Sequence, residues 1–140
     1  MFEKPLKCTT HDDCIECEDH ENTLRNLKRE YLSVEDIGTV GYSPLQNMTP
    51  QAIAYFLPRI IELALRNQKD TDKTPILVRL IVLLADDINK DRFKLLSNEQ
   101  VDCILDVLLY IKSHYSDIVE NECCSNELNN AIKKCENHTL

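Results

Sequence analysis

The chain is 140 residues long and 43% hydrophobic, enough for one domain to bury a core without relying on disulfides or metal for bulk stability. Its formal net charge of -8 disfavours a binder of nucleic-acid phosphates, whose affinity comes from Lys and Arg displacing counterions, and points towards a basic partner. The longest apolar run, Ile76 to Ala85, contains Arg79 and spans about half of the roughly 20 residues that a membrane helix needs, so no membrane association is expected.

Two glycines and five prolines suit long helices with short polar connections. The opening Met1-Phe2-Glu3-Lys4-Pro5 has neither a basic region nor an apolar one of the secretory kind, so a cytoplasmic location is expected. Seven cysteines, an odd number with no export signal, are expected to be reduced thiols.

The segment from Thr10 to Tyr31 reads as a helix whose acidic half precedes Arg25, Lys28 and Arg29, an order that complements the helix dipole. Ser33 to Asp36 reads as a short helical turn, followed by a loop through Gly38, Gly41 and Ser43-Pro44. Thr49-Pro50 is a strong helix start, because the threonine hydroxyl caps free amides and proline at N1 needs no acceptor. Ile53, Phe56, Leu57, Ile60, Ile61, Ala64 and Leu65 continue that helix at three-and-four spacing, and Pro58 predicts a kink or break that leaves carbonyls near Ala54 in need of another donor. After a charged connection from Lys69 to Lys73, Thr74-Pro75 repeats the start signal, and Ile76 to Ile88 is apolar nearly all round, as a central helix should be. Ser97 and Gln100 form a capping-box pair ahead of Val101, Ile104, Leu105, Leu108, Ile111 and Tyr115. Ser125 is a candidate cap for a marginal last helix through Leu128, Ala131, Ile132 and Cys135. These patterns predict an all-α, single-domain bundle of about five or six helices over residues 1–140, kinked or broken near Pro58, with 1–9 and 136–140 as candidates for disorder.

Cys8, His11, Cys14, Cys17 and His20 recur at every third residue, which concentrates soft-metal ligands in one segment. Cys14, Cys17, His11 and His20 are therefore candidate zinc ligands. On a helix, however, each three-residue step rotates by roughly 60° from the last, which spreads these donors, and Cys14 and Cys17 also share a face with Leu24 and Tyr31, as buried thiols would. Asp13, Glu16 and Glu18 oppose thiolate formation, which argues against a redox dithiol. Cys123-Cys124 and Cys135 form a weaker cluster, and Cys103 receives no role. His114 and His138 have no adjacent nucleophile or acid in sequence, and no phosphate loop, His-Glu-x-x-His helix or Gly-x-Ser-x-Gly elbow is present. No enzymatic activity and no cofactor are expected, zinc being the alternative.

The stretches His11-Asp12-Asp13-Cys14-Ile15-Glu16-Cys17 and Thr49-Pro50-Gln51-Ala52-Ile53-Ala54-Tyr55-Phe56-Leu57-Pro58 resemble a family of small, uncharacterised bacterial helical proteins. Its pattern is a His-Asp-Cys-x-x-Cys start and a later Thr-Pro-x-Ala-x-x-Tyr-Phe-Leu-Pro motif. This chain departs from it by a second aspartate before Cys14 and by the lack of a tryptophan after the first helix. The resemblance implies a bacterial, cytoplasmic, helical protein and carries no established activity.

The function expected is that of a non-enzymatic interaction protein: an immunity protein, or antitoxin, that binds and neutralises a basic toxin of the nuclease kind. Its candidate contacts are Asp12, Asp13, Glu16, Glu18, Asp19 and Glu21, where acidic charge would speed encounter with such a partner. The alternative is a metal-binding or metal-stabilised adaptor built on the Cys/His-rich segment.

Overall fold

A helix that is apolar nearly all round must be covered on most sides, and the sequence has one stretch of that kind. In the computed structural model, which describes residues 8–9, 15–37, 44–66, 75–88 and 91–138, that stretch is the central helix of an all-α domain. The α-helices are α1 (Ile15–Arg25), α2 (Val34–Ile37), α3 (Pro50–Arg66), α4 (Ile76–Asp87), α5 (Asn98–His114), α6 (Ser116–Asn121) and α7 (Ser125–Asn137). Helix α4 packs against α3 on one side and α7 on the other, and α7 also packs against α5. Leu77, Leu80, Ile81 and Leu84 of α4 are completely buried between them. Among the described residues there is no strand, only an isolated antiparallel bridge between Thr9 and Met48.

The helix starts follow the local chemistry. Thr49 Oγ1 accepts from the Ala52 amide at 3.2 Å, with Pro50 in the first helical position of α3. Ser97 and Gln100 close a reciprocal capping box on α5, with bonds of 3.2 Å and 2.8 Å. Ser33 and Asp36 do the same for α2: the Asp36 carboxylate accepts from the Ser33 amide at 2.9 Å. Pro75 stands just before α4 rather than inside it, and its carbonyl accepts from Val78 and Arg79; Thr74 and the connection 67–74 lie outside the described residues.

Several elements differ from the sequence reading. Seven α-helices are seen among the described residues because α2 and α6 stand as separate short helices. The helix expected from Thr10 to Tyr31 ends at Arg25, and a 3-10 turn follows at Arg29–Tyr31. The Arg29 amide, which would continue a helix by reaching back to Arg25, donates instead to the Tyr55 hydroxyl at 3.1 Å. Helix α3 is not broken at Pro58 but runs through it. The Arg29 guanidinium donates to the Tyr55 carbonyl at 3.3 Å, one residue beyond Ala54, whose carbonyl is the one that Pro58 leaves without its helical donor. The last helix is firmly docked: Leu128, Ala131, Ile132 and Cys135 are all buried, and Lys134 donates to the Ala85 carbonyl in the last turn of α4. Ser125 opens α7 as its first helical residue, and Cys124 occupies the cap position. Cys8 and Thr9 are buried, and 136–137 belong to α7; 1–7 and 139–140 lie outside the described residues.

Candidate partner-binding surface

Helix α1 divides the predicted acidic contacts. Glu18 and Asp19 are exposed, and Glu16 occupies the first turn of the helix. Asp12 and Asp13 lie outside the described residues. Glu21 faces inward, only 7% exposed: its two carboxylate oxygens accept from the Cys8 amide at 2.8 and 3.1 Å, and Arg25 stands 3.7 Å away. It thus ties the segment ahead of α1 to the body of the domain. The Cys8 carbonyl completes the tie by accepting from the Thr49 amide at 2.9 Å.

Of the candidate metal ligands, His20 is buried on α1, Cys17 is a backbone position of the same helix, and His11 and Cys14 lie outside the described residues. Cys8 is buried in the core. Among the described residues, no three His, Cys, Asp or Glu side chains converge as a metal site would require. Cys8, Cys103, Cys123, Cys124 and Cys135 form no disulfide. Burial, with the charges of Asp102 and Glu136 behind it, pushes the Cys135 thiol up to about 11, and burial together with Glu127 raises that of Cys124. Both are poor nucleophiles at neutral pH.

A second surface lies on α5, and the sequence reading did not find it. Helices α3 and α5 do not pack closely on each other, and between them runs a groove of about 600 Å³. Ala54, Leu57, Pro58 and Ile61 form its α3 wall. Leu96, Gln100, Cys103, Ile104 and Val107 form the α5 wall, and Arg29 lines the α3 side, its guanidinium 5.1 Å above the Tyr55 ring. The turn of 100° per residue places Glu99 and Asp106 beside Cys103 on the solvent edge of that wall, with Asp102 next to them. All three carboxylates are exposed, and none forms an ion pair among the described residues. One turn further on, exposed Tyr110 stacks on His114 with ring centroids 4.1 Å apart. The spacing of Leu96, Gln100, Cys103 and Val107 was readable in advance as a helical stripe. That it remained uncovered was not, because this depends on how far apart two helices stand.

These features define an all-α domain with an acidic, groove-bearing face. By sequence profile the chain belongs to a family of unknown function, DUF6714, whose match spans residues 7–134. No curated protein and no solved structure matches the chain. No helix among the described residues is long and apolar enough to cross a membrane.

Proposed function

We propose that this chain is a non-enzymatic interaction protein: an immunity protein that binds a basic, nuclease-type bacterial toxin and neutralises it in the cytoplasm. The observation that supports this reading is the set of exposed carboxylates on α5, Glu99, Asp102 and Asp106, which no cation of the described residues engages. On α3, by contrast, Glu62 takes both Arg59 at 2.9 Å and Arg66 at 3.1 Å. Unpaired surface carboxylates on a chain of net charge -8 speed encounter with a basic protein and compete for the groove where such a nuclease holds phosphates. Glu18 and Asp19 on α1 are further exposed carboxylates.

The test is bacterial survival on expression of the neighbouring open reading frame, with and without this protein, together with a pull-down of the two purified products. Rescue with direct binding is expected. The triple variant Glu99→Lys, Asp102→Lys, Asp106→Lys should then associate about 10-fold more slowly at low salt, with a flatter salt dependence and unchanged helicity. A harmless neighbour that does not bind would overturn the immunity reading.

A further inference from the structure

We infer that the groove between α3 and α5 receives a cationic amphipathic helix of a protein partner, its apolar side on the groove floor and its Lys or Arg residues along the α5 edge. The inference rests on the interaction-protein reading and supplies the binding element that reading leaves open. The groove, of about 600 Å³, falls within the size range of ligand clefts, and Leu57, Ile61, Ile104 and Val107 give it an apolar lining. Its polar atoms are few, and the Gln100 carboxamide oxygen is already held by the Ser97 amide at 2.8 Å. An extended peptide laid there would bury backbone N–H and C=O groups without partners, whereas a helix satisfies its own. Charge selects the flank. Glu99 and Asp106 border the groove beside Cys103, so the acidic edge attracts a cationic helix and repels an anionic amphiphile of the same apolar size. The Arg29 guanidinium lies on the opposite wall, over Tyr55, which leaves α5 as the edge that meets basic side chains.

Exposed Cys103 in the α5 wall reports occupancy directly, and exposed Cys123, at the α6–α7 junction, serves as the internal reference. The probe is an amidated Leu/Lys peptide of about 14 residues, roughly four helical turns, with its leucines on one face. Site-resolved iodoacetamide labelling should show Cys103 alkylation slowed about 10-fold by about 1 mM peptide, while Cys123 is unaffected. The same composition scrambled to remove the apolar face, and a Leu/Glu counterpart, should give no protection. The variant Val107→Lys, at a half-buried position, should keep its melting temperature and lose peptide binding. No protection of Cys103, or equal protection by the scrambled or Leu/Glu peptide, overturns the inference. The two readings fail separately. A neutralised toxin that leaves Cys103 fully reactive removes the groove and keeps the immunity function; peptide protection without any neutralised neighbour does the reverse.

Discussion

Cys135 shows how one buried atom links this fold to pH. Its side chain is enclosed where α7 meets α4 and α5, and removal from water, reinforced by the charges of Asp102 and Glu136, raises its pKa from an ordinary 9.0 to about 11. Because the folded value is the higher one, the native state favours the neutral thiol. That stabilisation is fully present below pH 9 and is lost as pH rises through 11, since only the unfolded chain ionises readily in between. Urea midpoints measured at pH 8 and pH 10.5 should therefore fall less for Cys135→Ala than for the parent, after allowing for the small cavity. An equal fall would show that this thiol is not the group responsible. Glu21 illustrates the limit of reading single residues from sequence. Its acidity and its place among other carboxylates were visible, but the Cys8 amide that occupies it is supplied from 13 residues away. Helical spacing puts it on the face of Cys17 and Leu24, which exposed Glu18 does not share, but that a carboxylate would be satisfied there was not legible.

Helix ends divide by whether their determinants are local. Thr49 and Ser97 were legible because each cap bonds an amide three residues ahead. The end of α1 was not, because its competitor is a tyrosine hydroxyl 26 residues further along the chain. Nor was the firm docking of α7, where burial of Leu128, Ala131, Ile132 and Cys135 outweighs the poor helix propensity of Asn129 and Asn130. The end of α6 contains an unusual residue. The Cys124 amide donates to the Val119 carbonyl at 3.0 Å and the Cys123 amide to Glu120 at 3.1 Å, the paired bonds of a Schellman motif. The left-handed position of that motif is held by Cys123 with φ of 56°, where glycine avoids the clash of a β-carbon. Replacement by glycine, Cys123→Gly, should stabilise the protein by about 1 kcal/mol, read as a rise in melting temperature; a fall would mean that the cysteine side chain contributes more than its backbone strain costs.

For the molecule as a whole, α4 is the element on which the others depend. Its nearly all-round apolar character was plain in the sequence, and so was the all-α class. The arrangement of neighbours was not, since a helix apolar on most sides does not specify which helix covers which face. Leu80, fully buried on α4, should cost about 2–5 kcal/mol when truncated to alanine, and chemical denaturation would show whether the loss is cooperative across the domain. A loss near 1 kcal/mol would indicate that α3 and α7 close over the space. The groove escaped sequence reading for a related reason: α3 packs on α4 and α5 packs on α7, so the space between α3 and α5 follows from that arrangement rather than from any residue of their own walls. The bonds at Cys8 have a different use. The Cys8 and Thr49 amides belong to no helical ladder, yet one is enclosed by a carboxylate and the other by a carbonyl of the opposite segment. In hydrogen exchange they should form a pair of slow sites outside any helix, whose rate would measure how often Cys8 and Thr9 lift from the domain while the rest stays folded.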